Sequence, residues 1–294
     1  MHLRSMQLRV GINDKPNPGW IMGKKLGSGS FGDVYLGNAE NDENDENKKM
    51  KVAIKLEEDK DKNKKYLKNE YDFYKILNKD NKEKKFVPQC YYFNHEGIYN
   101  VLVIDYLSSD LYSLYPYNNI ESLANIANKL LNCIEYIHSK NIIHRDLSPN
   151  NIRSHNNELF IIDFGASKIY FDKNNNTHIP NIKKNKTPGT RRYQSINSME
   201  LNESSRRDDL ESIGYILVEY YIGKLPWEQH KKDIDNKIKS KKESIESGRL
   251  FQKCPNELKI YINYCRNLKF DEKPDYKYLK KLFYKLFKRR ITHF

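Results

Sequence analysis

Cysteine is scarce in this chain of 294 residues, and the four cysteines that occur are far apart. They stand at Cys90, Cys133, Cys254 and Cys265, and no two of them form a Cys-x-x-Cys pair. This spacing is typical of reduced, mostly buried thiols. We therefore expect an intracellular protein, located in the cytoplasm, the nucleus or both.

Long apolar runs are also missing. A membrane-spanning helix needs about 20 consecutive apolar residues, and the best candidate here, the run at 215–218, ends at Glu219. The first residues, Met1 to Arg4, lack the apolar core of a signal peptide. The sequence therefore predicts no membrane span.

Charge, by contrast, is abundant: 52 Lys and Arg residues oppose 39 Asp and Glu residues, for a net charge of +13. This excess fits either a solvated surface or a partner that is acidic or phosphorylated, and composition leaves both open. No nucleic-acid-binding motif accompanies the charge, so no nucleic-acid partner is expected. The hydrophobic content of 38% allows a sizeable core, and the length suits one large domain or two packed lobes.

Strand patterns dominate the first third of the chain. Strand-like segments at 31–36 and 51–56 flank a polar low-complexity stretch at 38–49, which predicts an enlarged hairpin loop. An apolar run at 101–104 predicts a buried strand. Between them lies a helix-like segment with four apolar side chains on one face: Leu67, Tyr71, Tyr74 and Leu77.

Beyond a hinge predicted at 105–110, the patterns become helical. Apolar side chains at helical spacing predict a long amphipathic helix over 120–138: Leu123, Ala127, Leu130, Ile134 and Ile137. Helical patterns return from Asp209 and end in a last apolar set: Leu279, Leu282, Phe283, Leu286 and Phe287. The sequence therefore predicts an α+β fold with a small β-rich lobe and a larger α-rich lobe.

Three glycines between the first strand-like segments favour a phosphate-binding loop. Gly27, Gly29 and Gly32 follow the order Gly-x-Gly-x-x-Gly, and their missing side chains let the backbone fold closely over phosphates. Taken alone, this pattern fits a dinucleotide site or a plain turn equally well. Its place between two strands, just before Val34, favours the phosphate role.

Lys55 ends the apolar pattern Val-Ala-Ile-Lys. Its predicted role is to hold the α- and β-phosphates of a nucleotide, and the alternative is an ordinary surface lysine. The first role requires an acidic partner on the next helix. We predict Glu70, because Glu57 and Glu58 are too close along the strand.

Three further residues complete a set that suits phosphoryl transfer. Asp146, in His-Arg-Asp, is predicted to orient a substrate hydroxyl and accept its proton. Asn151 and Asp163 are predicted to bind Mg²⁺ through oxygen atoms, which that ion prefers. An isolated aspartate would fit a helix cap or turn, but Asp163-Phe164-Gly165 follows at the right distance. Phe164 is expected to pack beneath the site, and Gly165 to let the backbone turn.

These four motifs, in this order, resemble those of the protein kinases. A more specific resemblance is to the casein kinase 1 family of serine/threonine kinases. It is carried by the segments 189–197, 205–212, 223–227 and 264–276 and covers roughly residues 20–290. Most kinases have Ala-Pro-Glu after the activation loop, whereas this chain, like that family, has Ser195-Ile196-Asn197. The related vaccinia-related kinases fit less well.

The resemblance implies a bilobal, monomeric kinase that uses ATP and Mg²⁺ to phosphorylate serine or threonine in acidic or already phosphorylated proteins. It implies an N-terminal extension at 1–19, an N-lobe at 20–104, a hinge at 105–110 and a C-lobe at 111–294. It also implies that ATP is contacted by residues of the N-lobe and hinge: Leu26, Gly27, Gly29, Gly32, Val34, Ala53, Lys55, Glu70, Ile104, Asp105 and Leu107. Ile104 falls at the gatekeeper position.

Two further residues take roles from the resemblance. Arg192 matches a family arginine that binds a phosphate-like anion. Its basic partner is expected among Lys231, Lys232 and Lys237. Asp209 matches the helix aspartate that anchors the backbone of the catalytic loop, which is the segment from His144 to Asn151.

Some residues depart from the family pattern. Ser148 replaces a lysine that normally contacts the transferring phosphoryl group, and losing one such donor costs about 10²–10³ in rate. Lys168 or an arginine on the substrate side is a candidate to compensate. Pro188 and the hinge-flanking residues Ser108-Ser109-Asp110 also differ from the family pattern.

Two other hypotheses stay open. The first is a pseudokinase scaffold with weak or no phosphotransfer, which Ser148 supports. The second is a basic protein that binds nucleic acid or anionic membrane, which the scattered charges disfavour.

Overall fold

The computed structural model describes residues 7–8, 11–12, 15–16, 19–29, 32–39, 50–59, 66–79, 86–114, 117–230 and 233–291. The chain divides into two compact units. The first comprises Met1–Ser108 with Asp163–Gly165, and the second comprises Ser109–Ile162 with Ala166–Phe294. The expected order of strands followed by helices is confirmed.

The first unit is an antiparallel sheet with one helix. Its strands and helix are β1 (Gln7–Leu8), β2 (Gly11–Ile12), β3 (Lys15–Pro16), β4 (Trp20–Gly29), β5 (Gly32–Ala39), β6 (Lys51–Glu58), α1 (Tyr66–Asn78), β7 (Cys90–Glu96) and β8 (Tyr99–Asp105). Six of the strands form one sheet in the order β1-β4-β5-β6-β8-β7, and β2 pairs with β3.

Alternation along β6 separates the two faces of this sheet. Val52, Ile54 and Leu56 are buried on one face, where they pack in a cluster with Trp20 and Val103. Ala53 and Lys55 point to the opposite face, because successive side chains of a strand alternate. The hydrophobic cluster therefore holds one face of β6, and the other face carries the residues of the candidate site.

Two sequence predictions in this unit need correction. The polar loop was expected to begin at Asn38, but β5 extends through Ala39, because Ala39 is buried and pairs with Trp20. The other residues of that predicted loop, 40–49, lie outside the described residues. On α1, Leu67, Tyr74 and Leu77 are buried as expected, but the fourth buried side chain is Glu70 rather than Tyr71. Tyr71 instead stacks on Phe93, with ring centroids 4.9 Å apart.

The second unit is mainly helical. Its short strands are β9 (Ser109–Asp110), β10 (Ile142–Ile143), β11 (Ile152–His155), β12 (Glu158–Ile161), β13 (Lys168–Ile169), β14 (Phe171–Asp172) and β15 (Thr177–His178). Its helices are α2 (Leu111–Leu114), α3 (Ile120–Ser139), α4 (Ile196–Met199), α5 (Arg206–Ile222), α6 (Ile234–Glu246), α7 (Asn256–Asn267) and α8 (Tyr276–Ile291). The strands pair as β12-β11-β9, β10-β13 and β14-β15.

Helices α3 and α5 carry most of the core of this unit. All five apolar positions predicted for α3 are buried, and the Asn119 side chain caps its first turn by accepting from the Ser122 N–H. Helix α5 begins at Arg206, before the predicted Asp209, and is buried on all sides from Asp208 to Tyr220. Its apolar run at 215–218 is therefore core. Among the helices of the described residues, none is long and apolar enough to cross a membrane.

The last helix and the cysteines agree with expectation. Of the five predicted apolar residues of α8, Leu279, Phe283 and Leu286 are buried, and Leu282 and Phe287 are partly buried, so the terminal pattern marks a packed face. All four cysteines are free thiols, with Cys133 and Cys265 buried.

Candidate active site

Lys55 in the first unit is held between two carboxylates. Its Nζ donates to both oxygens of Glu70, at 2.8 Å each, and lies 3.5 Å from Oδ1 of Asp163. The predicted pairing with Glu70 is therefore present. Glu57 instead accepts hydrogen bonds from the Leu67 N–H and from Asn100.

Burial and neighbouring charges shift the pKa values of Glu70 and Lys55. Burial raises the pKa of Glu70 to about 7, against the opposing attraction of Lys55. Burial also opposes the charge of Lys55, but Glu70 and Asp163 outweigh it and raise the lysine pKa above its usual value. Lys55 is thus held as a cation by its two acidic neighbours.

The register of the sheet gathers other predicted contacts around Lys55. Val34 is the cross-strand partner of Lys55, and Ile104 is the partner of Ala53. Directly paired residues share a face of an antiparallel sheet, so all four lie on one face. Ile104 is buried, while Val34 and Ala53 are partly exposed.

The glycine loop joins β4 and β5. Gly27 pairs with Val34 and Gly29 with Gly32 across the hairpin, and Leu26 is 38% exposed. Ser30 and Phe31 lie outside the described residues. Gly32 has φ +123°, and a Cβ there would lie 2.0 Å from the Leu56 carbonyl oxygen, so the backbone excludes any side chain. A Cβ added at Gly27 would meet no described atom within 4 Å.

Asp105 is the last residue of β8, and both its carboxylate and its N–H form hydrogen bonds with nearby residues. Its carboxylate accepts from the Gln89 N–H at 2.8 Å and from the Tyr91 hydroxyl at 2.5 Å, and its own N–H donates to the Gln89 carbonyl. The side chain is therefore structural here. Leu107 follows in the segment between β8 and β9 and is partly buried.

Asp163 and Phe164 are positioned by α1. Phe164 is fully buried, and its ring meets Tyr74 edge to face at 5.1 Å. Asp163 has φ +68°, in the left-handed region that non-glycine residues rarely adopt, and its N–H donates to the Tyr74 hydroxyl at 3.4 Å.

In the second unit, Asp209 anchors the catalytic loop from α5. Its carboxylate accepts the N–H groups of His144 and Arg145, at 2.7 and 2.8 Å, and a hydrogen bond from His138 at 3.0 Å. Burial opposes a charge on Asp209, but these hydrogen bonds outweigh it and hold the pKa below its usual range. The predicted anchoring contact is thereby confirmed. Arg145 has φ +69°, so the loop is bent at that residue.

Asp146 is held from both sides. The Asn151 side chain donates to its backbone carbonyl at 2.9 Å. Thr190 donates twice to its carboxylate Oδ1, through the N–H and the hydroxyl, at 2.8 Å each. Gly189, with φ +113°, lets this segment approach, because a Cβ there would lie 2.6 Å from the Arg145 carbonyl oxygen.

Ser148 brings no charge to this loop. It is 2% exposed, and its carbonyl accepts the Asn151 N–H. The suggested compensation by Lys168 needs correction, because Lys168 is bound to Glu203 at 2.7 Å. Glu203 also lies 3.3 Å from Lys184 and 4.0 Å from Arg145.

Arg192, the predicted anion-binding residue, is bound by two carboxylates. Its Nε lies 3.3 Å from Glu219, and its terminal nitrogen contacts Glu228. Of its three candidate basic partners, Lys231 and Lys232 lie outside the described residues. Lys237 is 8% exposed, and its pKa is lowered by burial and by repulsion from Arg191 and Arg192.

The predicted metal ligands offer oxygen atoms that suit Mg²⁺. Oδ1 of Asp163 is buried and accepts no hydrogen bond within the described part of the chain, although Lys55 Nζ lies 3.5 Å away. The Asn151 amide nitrogen is spent on Asp146, which leaves its oxygen for a metal. In the described ranges, no cluster of three or more His, Cys, Asp or Glu side chains resembles a metal site. Mg²⁺ bound to phosphates usually takes one or two carboxylates rather than a full protein cage, so these residues fit it.

The family model of the protein kinase domain matches residues 20–292. The chain therefore belongs to the protein kinase domain family, and its β-rich first unit and helical second unit are the lobes of the bilobal kinase fold. Members of this family transfer a phosphoryl group from ATP, usually with Mg²⁺, to a protein.

The sequence did not predict three residues that contact Asp146, Arg145 or Asp209 in the structure. Thr190 contacts Asp146, Glu203 gathers three cations, and His138 holds Asp209. Thr190 had a sequence signal, since it lies within the segment 189–197 that carries the family resemblance. Glu203 and His138 had none, because their partners come from distant parts of the chain.

Proposed function

We propose that this protein is an active serine/threonine kinase resembling the casein kinase 1 family, which transfers the γ-phosphate of ATP with Mg²⁺. The observation that carries the proposal is the placement of Lys55 between Glu70 and Asp163, at 2.8 and 3.5 Å. A partly buried lysine held as a cation suits the phosphates of a nucleotide. Structural support for β6 alone would not require two carboxylates around one ammonium.

Each residue has a part in the transfer. The oxygen of the substrate hydroxyl bonds to the γ-phosphorus, and Asp146 accepts the proton of that hydroxyl. At the same time, the bond between the γ-phosphorus and the bridging oxygen breaks, and ADP leaves. Thr190 and Asn151 keep Asp146 oriented. Lys55 would bind the α- and β-phosphates, and Asn151 and Asp163 would hold Mg²⁺, whose charge would stabilise the leaving group.

Ser148 favours the alternative, a pseudokinase scaffold. Its buried hydroxyl cannot supply the charge of the missing lysine, and Lys168 is already paired with Glu203. Losing one donor lowers the rate but does not abolish transfer. Since the base and both predicted metal ligands are present, the active kinase remains the first proposal.

Acidic or phosphorylated substrates are also part of the proposal. Burial lowers the pKa of Lys237, and repulsion from Arg191 and Arg192 lowers it further. An anion bound beside these three cations would relieve that repulsion. Glu219 and Glu228 already form ion pairs with Arg192. Lys237 and Arg191 would therefore provide most of the attraction for a substrate anion. An intracellular, monomeric protein remains a prediction from the sequence.

The test is Mg²⁺-dependent transfer of the ATP γ-phosphate to Ser/Thr peptides that are acidic, phospho-primed or neutral. The Asp146→Asn variant serves as the control. Transfer that the control lacks, to serine or threonine, supports the proposal. Nucleotide binding without transfer to any peptide favours the scaffold.

Ser148→Lys then separates a slow kinase from a scaffold. A kinase limited by the missing charge should gain up to about 10²–10³ in kcat when the lysine is restored. A scaffold should stay inactive in both forms, and equal affinity for acidic and neutral peptides would contradict the substrate preference.

A further inference from the structure

The second unit contains a cavity of about 650 Å³ that the proposed phosphotransfer does not use. It is bordered by the end of α3, by β14 and β15, and by the segment that leads into α8. Its volume is within the usual range for a small-molecule pocket. None of the residues assigned above to ATP, Mg²⁺ or the substrate lines it.

Aromatic rings form much of its wall: Tyr170, Phe171, His178 and Tyr276. They are fixed by packing, since His178 lies 4.9 Å edge to face from Phe270 and 5.4 Å from Tyr170. Rigid rings of this kind favour a planar apolar group, which can stack or pack edge to face.

Arg206 brings a positive charge without a carboxylate partner among the described residues. Its guanidinium stacks over Tyr170 at 4.6 Å, and its terminal nitrogens donate to the Asp271 carbonyl at 2.6 Å and the Tyr170 hydroxyl at 3.3 Å. Its Nε is buried, and no atom of the residues that the structure describes forms a hydrogen bond with it. A partly buried guanidinium with an unused donor favours an anionic ligand, because charge-assisted hydrogen bonds are the strong ones.

The other charged residues that line the cavity are one cation, Lys273, and two acids, Glu135 and Asp271. Lys273 is exposed at the edge, and no acid of the described residues pairs with it. Of the two lining acids, Glu135 is bound to Lys280 at 2.6 Å, and Asp271 is exposed. Nδ1 of His178 donates to the Ile179 carbonyl, and its Nε2 is buried with no hydrogen-bond partner among the described residues.

We propose that this cavity is a second ligand site, for a planar aromatic group that carries a phosphate or carboxylate, and that its occupant acts on the catalytic loop. The rings contact the aromatic group, and Arg206 and Lys273 bind the anion. Phosphate and carboxylate share the chemistry that the two cations recognise, and the binding experiment distinguishes them.

A buried chain of hydrogen bonds links the cavity to the catalytic loop. Because a carboxylate only accepts, His138 donates through Nε2 to Asp209, and its Nδ1 accepts from the Tyr276 hydroxyl at 2.6 Å. Asp209 in turn holds the N–H groups of His144 and Arg145. Tyr276 and His138 both line the cavity, so a ligand that shifts either one alters how the loop beside Asp146 is held. This coupling rests on the proposed kinase activity, whereas binding does not.

Binding is tested by NMR titration of the full chain with phenyl phosphate, benzoate and uncharged benzyl alcohol. Arg206→Gln and Lys273→Gln should each weaken the preferred anion by roughly tenfold. Lys277→Gln, an exposed change on α8 outside the cavity, should leave affinity unchanged. If Arg206→Gln fails to fold, Lys273→Gln at the exposed edge of the cavity still tests whether a cation there binds the anion. Benzyl alcohol binding as well as the anions, or no binding at all, would overturn the site.

Coupling is tested by the effect of saturating phenyl phosphate on transfer. We expect kcat to change while KM for ATP stays constant, which separates the cavity from competition at the nucleotide site. Tyr276→Phe, which removes the hydrogen bond to His138, should keep binding and lose the change in kcat. Binding with kcat unchanged in the wild-type protein would overturn the coupling. A protein that binds phenyl phosphate but shows no transfer would contradict the proposed function and leave the site standing.

Discussion

Thr190 donates two hydrogen bonds to a single oxygen of Asp146, at 2.8 Å through its N–H and 2.8 Å through its hydroxyl. The two residues are 44 positions apart in the sequence. The bonds hold the proposed base in one orientation. Orientation of this kind lowers the barrier because the reacting groups are already aligned.

We predict that Thr190→Val lowers kcat by about tenfold and leaves KM for ATP unchanged. Valine keeps the shape and the N–H donor but removes the hydroxyl, and a hydrogen bond to a charged group contributes roughly 1.5–3 kcal/mol. Steady-state kinetics with the preferred peptide would measure this. Thr190→Ser, which retains the hydroxyl, should keep most of the activity. A valine variant with the wild-type kcat would exclude this role for Thr190.

Glu70→Gln should impair nucleotide use rather than the fold. The substitution removes the carboxylate that binds Lys55 through both oxygens, so the ammonium loses its fixed position. We expect kcat/KM for ATP to fall at least tenfold, since a charge-assisted pair is replaced by one neutral contact. Glu58→Gln, at the exposed end of β6, is the matched control. Equal losses in both variants would show that Glu70 has no special role.

Gly189→Ala should lower both stability and activity. The residue has φ +113°, and an added Cβ would lie 2.6 Å from the Arg145 carbonyl oxygen, a backbone atom that cannot easily move. Gly223→Ala is the matched control, because φ there is +84° but no described atom lies within 4 Å of the added Cβ.

The control should cost about 1–2 kcal/mol in the free energy of unfolding, from backbone strain alone. Gly189→Ala should cost more and also lower kcat, because it displaces the segment that carries Thr190. Urea unfolding and peptide kinetics on both variants would measure this. If the two variants behaved alike, the steric contact with Arg145 would have no consequence.

Lys241 should make stability depend on pH. Its side chain is fully buried, and burial lowers the pKa of its ammonium from 10.5 to about 7. Its Nζ donates to the Gln194 carbonyl at 2.5 Å and lies 4.5 Å from the Tyr215 ring centroid. Between these two pKa values the unfolded chain binds a proton that the folded chain does not, so stability rises with pH in that range.

We expect the free energy of unfolding to rise between pH 7 and pH 9 and to rise less in Lys241→Met. Methionine leaves the Gln194 carbonyl without this donor, which lowers stability at every pH, so the slope and not the level is the test. Urea unfolding at several pH values would measure both slopes. Parallel curves for the two proteins would contradict a lowered pKa at Lys241.

Much of the fold and part of the site could be read from local pattern. The spacing of apolar residues predicted α3 and the strand at 101–104, because helix and strand periods are properties of neighbouring residues. The motifs around Lys55, Asp146 and Asp163 predicted the class of protein for a similar reason. Each is a short run of adjacent residues, so the residue types and their spacing carry the signal without any knowledge of the packing.

The sequence by itself thus determined the family, the order of the elements and the residues that suit phosphoryl transfer. Only the tertiary structure decided which distant side chains meet: Thr190 with Asp146, Glu219 and Glu228 with Arg192, and Glu203 with Lys168. It also decided that Arg206 and the rings around it enclose a cavity. Such contacts depend on how segments tens of residues apart pack together, and the local spacing of residues carries no information about that distance.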